Sequence, residues 1–488
     1  MKRFRLPLSL VLIPTIMLLG STVSRKSVFT RIKENVDQKG KAYENLEEVS
    51  QKIGHRLTGS VNGKKAEEFV FSKLQEYKLD EINYQGFEVK SWTRNSLNLA
   101  IVPANSDNYR DIKSVALAHS PQVADVTAPI MDCGDGLEDD FEACKELLTG
   151  KIAMFNVDIR NVGHKGFKNL HRSEKSALAI KYGASGIILV NRVKNGVLLT
   201  GTASVDGELI PIPAVCVSYE SGGAIRKWIK DEKHIMAEIS MKNSFKPVRI
   251  RNVSGTYDHK AKSTERIIVG AHLDSWDLAQ GAVDNGLGAF SLLDIARVFS
   301  DLHLKTKRPI DFVFFVGEEQ GLLGSKHYVE ELKSTGKDKD IALMVNLDMI
   351  NDCHGFNAFG NEQLEKLINE IGENIANEIK EYPNINRNNA GLHSDHQPFM
   401  LAGIPVCLPD GKLSEEALNC YHADCDRFDL IHKNEINNNV KYVAMMLYEL
   451  ANSNQLPKHK NSQETRDFLI AQGLKNELIL GKDWHWEQ

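Results

Sequence analysis

From about residue 247 the chain settles into an alternation that few architectures satisfy: a short apolar run, then a helical stretch, then another apolar run. The apolar runs cover residues 266–272, 310–316, 341–349 and 404–408, and the helical period is clearest over 287–299. Continuous apolar strands are buried on both faces, and the helices between them supply the crossovers of a parallel sheet. The expected fold is therefore α/β, a mixed, mostly parallel doubly wound sheet. Ligands of such sheets sit at the carboxyl ends of the strands. Nearly every acidic or histidine cluster of interest in this sequence falls there.

In GAHLDSWD the strand over 267–271 delivers His272 and Asp274 two residues apart on one side, so one can bind a metal while the other braces it. GAVDNGLGAF puts Asp284 ahead of a glycine-rich turn and a helix, where a carboxylate could bridge two cations; alone, it reads as a turn or cap residue. After the strand over 311–316, Gly317 introduces Glu318 and Glu319. Successive side chains of an extended segment point opposite ways, which gives Glu319 as a ligand and Glu318 as a general base facing water. An acidic helix N-terminus is the plainer alternative for that pair. MVNLDMIND closes a strand on Asp348, with Asp352 as fallback, and YHADCDRFDLI offers His422 with Asp426 four residues on. Each cluster alone has an ordinary structural explanation. Together, His272, Asp284, Glu319, Asp348 and His422 converge on one sheet edge, and a carboxylate-rich set with two histidines suits zinc, with cobalt or manganese also able to fit.

The rest of the 488 residues frames that unit. A chain of this length needs two domains or more, and 42% hydrophobic content is enough to bury them. The net charge of -5 carries no long basic tract, so nucleic acid is not an expected partner. Lys2, Arg3 and Arg5 precede an apolar run from Leu6 to Leu19, read as a signal peptide over 1–24. The run is shorter than the roughly 18 to 20 residues that span a bilayer, so no stable membrane span is expected. Residues 25–43 are polar and basic, read as a propeptide or an arm. Helical patterns follow over 43–53 and 66–77, with a strand over 86–89. Between 94 and 246 the texture shifts to short β-rich runs, GKIAMFNV, GASGIILVN and IPIPAVCVS, with a helix over 176–182; this is an inserted domain. It interrupts a domain built from 44–93 and 247–475, and 476–488 is left as a C-terminal tail. The sequon at Asn252 reads as a glycosylation site of a lumenal or secreted protein. Of the seven cysteines, Cys133 and Cys144 are the easiest local disulfide; Cys420 and Cys425 make a poorer zinc pair than the nearby carboxylates.

HxD, an Asp before Asn, a Glu-Glu pair, a strand-end Asp and a late His occur in that order, and the sequence resembles the M28 family of zinc peptidases over most of residues 44–450. HLDSWDLAQGAVDNGLGAF is more similar to the carboxypeptidase branch of that family than to its bacterial aminopeptidases. GKIA, GASGIILVN and IPAVCVS resemble the protease-associated domain of several relatives. The resemblance implies two zinc ions per chain, one on His272 and Asp348, the other on Glu319 and His422, with Asp284 bridging and Glu318 as base. Asp274 and Asp426 would support the histidine ligands, and the peptide bond from Asp284 to Asn285 would be cis. It further implies an exopeptidase acting on dipeptides or short peptides with free termini, secreted or in the lumen of the endoplasmic reticulum, Golgi or lysosome, and a homodimer. SDHQPFMLAGIP would bring Asp395 near the substrate. The sequence departs from the family pattern at Ala423 and Arg427, which bears on the pocket wall. Two alternatives are weaker: a one-zinc, glutaminyl cyclase-like transferase does not need the full ligand set, and a non-catalytic receptor or scaffold would have lost a ligand or the base.

Overall fold

Five strands form the part of the sheet on which the histidines and carboxylates fall: β1 (Arg266–His272), β2 (Ile310–Phe315), β3 (Ile341–Asn346), β4 (Gly355–Asn357) and β5 (Val406–Asp410). The computed structural model describes residues 27–103, 109–232 and 235–487. The signal segment over 1–24 lies outside the described residues. The sheet order is β4-β5-β3-β1-β2, followed by the long strand Ile235–Tyr257. β5, β3, β1 and β2 run parallel, while β4 and Ile235–Tyr257 are antiparallel to their neighbours. This is the mixed, mostly parallel α/β sheet that the alternation implied.

Period-two alternation decides what each strand face meets. Ile267, Val269 and Ala271 of β1, with Phe312 and Phe314 of β2, pack beneath helices that include Ala42–Lys52, Leu287–Leu302 and Lys433–Asn452. Ile268, Val313 and Phe315 point the other way, onto Leu323–Thr335, His396–Leu401 and Ser462–Ala471. Both faces are covered, and each fully buried Phe contributes about 2 kcal/mol. That double burial holds the strand ends in fixed register, with His272 of β1 opposite Phe315 of β2 and Gly270 opposite Asn346 of β3.

Two terminal segments are more structured than their composition suggests. The stretch read as a propeptide or arm forms the helix Val28–Lys39, capped by Ser27, whose side chain accepts from Thr30 N at 3.1 Å. Phe29, Ile32 and Val36, spaced three and four apart, bury one stripe against the core, a period masked in the sequence by the charges between them. The tail over 476–487 docks as well: Lys475–Leu480 is helical, Leu478 is buried, and Trp484 and Trp486 pack onto the second face of the sheet.

The inserted domain hangs on a two-stranded ribbon. Glu81–Pro103 and Ile235–Tyr257 pair from Glu81 opposite Thr256 to Pro103 opposite Ile235, with a bulge between Arg94 and Ser96. The strands run unbroken past residues 93 and 247, so no loop separates the insertion from the sheet. Beyond the bulge, Val123–Asp132, Ile152–Asn156, Gly186–Val190 and Ala214–Val217 pair in parallel, with Ser114–Ala116 antiparallel at the edge. Three helices, Glu138–Leu148, Arg172–Lys181 and Tyr219–Glu232, flank them. No described helix is long and apolar enough to cross a membrane.

Two local readings of the sequence are corrected. Asn252 lies within a strand at 1% exposure; its amide donates to Gln85 Oε1 at 2.8 Å and Gly324 O at 2.9 Å, and its Oδ1 accepts from Val316 N at 3.1 Å. A side chain bonded on every side and closed to solvent cannot carry a glycan. The disulfide joins Cys420 to Cys425, while the thiols of Cys133 and Cys144 stand 3.3 Å apart as free cysteines.

Candidate metal centre and cleft

The carboxyl ends of β1, β2 and β3, and the loop after residue 419, bring five side chains to one point. His272 Nε2 stands 3.2 Å from Asp284 Oδ1 and 3.4 Å from Asp348 Oδ1. His422 Nε2 stands 2.9 Å from Asp284 Oδ2 and 3.0 Å from Glu319 Oε2. The donors fall into two triads, His272–Asp284–Asp348 and Asp284–Glu319–His422, and Asp284 turns one oxygen to each. Glu319 Oε1 and Asp348 Oδ1 are buried without a hydrogen-bond partner. Buried carboxylates with orphaned oxygens require positive charge. A pair of divalent cations sharing Asp284 fits the donor set, its burial and its unsatisfied atoms.

The electrostatics express the same demand. Burial alone would lower the His272 pKa, but Glu318, Asp348, Asp274 and Asp284 raise it well above the ordinary imidazole range. Burial would raise Asp284, yet hydrogen bonds from His272 and His422 hold its carboxyl below the usual range. The imidazoles thus hold protons where cations are wanted.

Supporting groups fix these donors. His272 Nδ1 lies 3.1 Å from the backbone carbonyl of Asp274 and 3.7 Å from its carboxylate, so the brace is chiefly backbone. The Asp274 carboxylate instead accepts from the Thr58 hydroxyl at 2.9 Å and the backbone N–H groups of Glu318 and Glu319 at 3.2 and 3.4 Å, anchoring the Glu-Glu pair. Gly317, at φ 81°, makes the turn that releases that pair from β2. Asp426, read as a support for His422, does not touch its ring. Its carboxylate accepts from Val283 N at 2.7 Å and Asp284 N at 3.0 Å, so it positions the bridging residue. The Asp284–Asn285 peptide bond is cis, as the resemblance implied. Ser394 donates to Asp348 Oδ2 at 2.6 Å and leaves Oδ1 toward His272. Asp352 is elsewhere, bonded to Asn438, and Asp395 is wholly buried behind the site rather than in the cleft wall.

Sequence reasoning passed over Arg56. Fully buried, its guanidinium donates to Leu273 O at 2.6 Å, Gln280 O at 2.8 Å and Gly281 O at 2.8 Å, tying the loop after β1 to the turn that carries Asp284. Arg56→Met is expected to orphan those carbonyls and lower unfolding stability by about 3 kcal/mol, measured by denaturant titration.

Above the donors a cleft of about 140 Å³ opens to solvent. Glu318 lines it, half-buried, with its backbone N–H on Asp274. Burial pushes the Glu318 carboxyl well above the ordinary range; His272 opposes the rise, and Asp348 and Glu319 add to it. The opposite wall comes from the insertion: His171, Arg172, Ser173 and Glu174. Arg172 Nη2 stands 2.7 Å from His422 Nδ1, Thr200 N donates to His422 O at 2.8 Å, and Arg172 Nε is buried without a partner. A Cβ at Gly201, φ 126°, would fall 2.0 Å from Arg172 Nε, so glycine makes room for the guanidinium. The docked tail contributes Glu477, Leu478, Gly481 and Asp483. None of these distant contributions has a local sequence signal.

Comparison with known proteins agrees with this geometry. Residues 252–447 match the model of peptidase family M28, and residues 123–225 match the PA domain. The chain is 28% identical to aminopeptidase YwaD of Bacillus subtilis over 432 residues, 86% of each chain. It is 25% identical to carboxypeptidase Q of Xenopus laevis over 312 residues, 62% of this chain and 64% of the relative. Among solved structures, a zinc aminopeptidase from Bacillus subtilis superposes with a TM-score of 0.63 at 27% identity, covering 86% of this chain and 96% of that one.

Proposed function

The chain belongs to peptidase family M28, a metallopeptidase with zinc as its metal, and from that premise we propose that it is a two-zinc exopeptidase of dipeptides and short peptides with Glu318 as general base. The observation that carries the reading is the pair of donor triads sharing Asp284 beside a cleft lined by Glu318. In this reading His272 and Asp348 hold one ion, Glu319 and His422 the other, and Asp284 both. Bound there, zinc would supply Lewis acidity toward a scissile carbonyl and acidify the attacking water. Glu318 takes the water's proton and passes it to the leaving amine; the pull of burial on its carboxyl favours holding that proton. Asp274 keeps Glu318 and Glu319 on opposite duties by gripping both backbone N–H groups.

Arg172 supports recognition of a free carboxyl end. A guanidinium only donates, so its contact with His422 Nδ1 requires the ring proton on Nε2, the atom the site would use for metal. Were a metal held on Nε2, the ring proton would lie on Nδ1 and would oppose the guanidinium, so Arg172 would be available to a substrate carboxylate. The test is a panel of dipeptides with free, N-acetylated and C-amidated ends, run with zinc counting. Arg172→Ala is expected to raise KM for free-carboxyl substrates by about 2 kcal/mol, roughly thirtyfold, and to leave KM for C-amides within a few-fold. Equal loss on both substrate types would reject carboxylate recognition, and a wild type that prefers C-amides would make the enzyme an aminopeptidase. The proposal extends to an exported homodimer, checked by sedimentation and by amino-terminal sequencing for a start after residue 24.

A further inference from the structure

We propose that Glu174, His393 and Glu477 form a third divalent-cation site, separate from the two triads, at the mouth of the cleft. A carboxylate oxygen of each glutamate and a ring nitrogen of His393 lie within 4.8 Å of one another. The three come from parts of the chain far apart in sequence: the first turn of Arg172–Lys181 in the insertion, the loop before His396–Leu401, and the helix Lys475–Leu480.

Glu174 is the independent sign of a ligand. It is 1% exposed; its Oε2 accepts from the backbone N–H of His171 at 2.6 Å, while Oε1 is buried with no hydrogen-bond partner. Burial raises its carboxyl to about 7, against the pull of that N–H and of Lys168 and Lys175. A buried carboxylate in this position takes up either a proton or a cation. The neighbouring donors favour a metal over an ammonium, because an imidazole nitrogen adds nothing for an ammonium that a carboxylate does not, and it is a strong metal donor. Glu477 is held by Lys168 at Oε1 only, from the solvent side. His393 is exposed, with its ring stacked on His171 at 4.9 Å between centroids. Two carboxylates and one imidazole select zinc or manganese over calcium, which takes oxygen donors alone.

The consequence is a clamp. Glu174 lies two residues from Arg172, which reaches His422, so a cation joining Glu174 to His393 and Glu477 would fix the insertion and the docked tail over the catalytic centre. Occupancy of this outer site would then govern how firmly Arg172 is presented to substrate.

The experiment is zinc counting after equilibrium dialysis of the full chain at micromolar free zinc, on wild type, Glu174→Gln and His393→Ala. Each variant is expected to bind one equivalent fewer than wild type. His393 is exposed, so its variant guards against a loss caused by misfolding at buried Glu174. Because the difference is read, the result does not depend on how many ions the inner triads hold; Asp284→Ala, which disrupts those triads, is expected to keep the outer ion. Equal zinc in wild type and both variants would overturn the proposal, as would loss of all zinc in Asp284→Ala.

Discussion

Glu318→Gln should lower dipeptide turnover by about a thousandfold while zinc content stays at the wild-type level. Glu318 belongs to neither donor triad, and its fixed contact is the backbone N–H bond to Asp274, which glutamine retains. The substitution is nearly isosteric and removes only the ability to accept a proton. Parallel assays of turnover and metal content separate the roles of the adjacent glutamates. Loss of zinc in Glu318→Gln would exchange the assignments of Glu318 and Glu319. Turnover within tenfold of wild type would leave the proton transfer to some other group.

What was legible in the sequence is what local pattern controls. Apolar runs with period-two alternation, such as Ile267–Val269–Ala271 against Ile268–Gly270, locate a doubly covered strand, and the strand end then locates His272. The same logic finds Glu318 and Glu319 after β2 and Asp348 after β3, and the structure brings His272, Asp284, Glu319, Asp348 and His422 together. What failed depended on partners far along the chain. The sequon at Asn252 is a local motif, but its burial follows from Gln85 and Gly324, which no local window contains. Asp426 sits four residues from His422 and was assigned to it by proximity; its partners are Val283 and Asp284, more than a hundred residues away. Cys420 and Cys425 read as a poor zinc pair and Cys133 with Cys144 as the easiest local disulfide, but the bond closes between Cys420 and Cys425, whose Cα atoms the loop around His422 brings to 5.1 Å. Arg172 and Glu174 reach the cleft only because the ribbon folds the insertion back over the sheet, a tertiary fact without a sequence period. The helix Val28–Lys39 was hidden by its charged residues, although its three buried apolar side chains, Phe29, Ile32 and Val36, keep helical spacing.

Asp284→Ala is expected to cost more than the loss of any other donor. Asp284 is the only residue common to both triads, and removing it leaves each with one histidine and one carboxylate. Two protein donors hold zinc far less firmly than three. Bound zinc in the dialysed variant should fall by both inner equivalents, and turnover by about ten thousandfold or more. Asp348→Ala supplies the contrast: it depletes only the triad of His272, so one inner equivalent should survive on Glu319, Asp284 and His422. The protein fold should persist in Asp284→Ala, because Asp426 still bonds the backbone N–H groups at 283 and 284 and Arg56 still ties Gln280 and Gly281 to Leu273. Retention of both inner ions in a folded Asp284→Ala would reject the bridge, and the two faces of that carboxylate would then belong to hydrogen bonding alone.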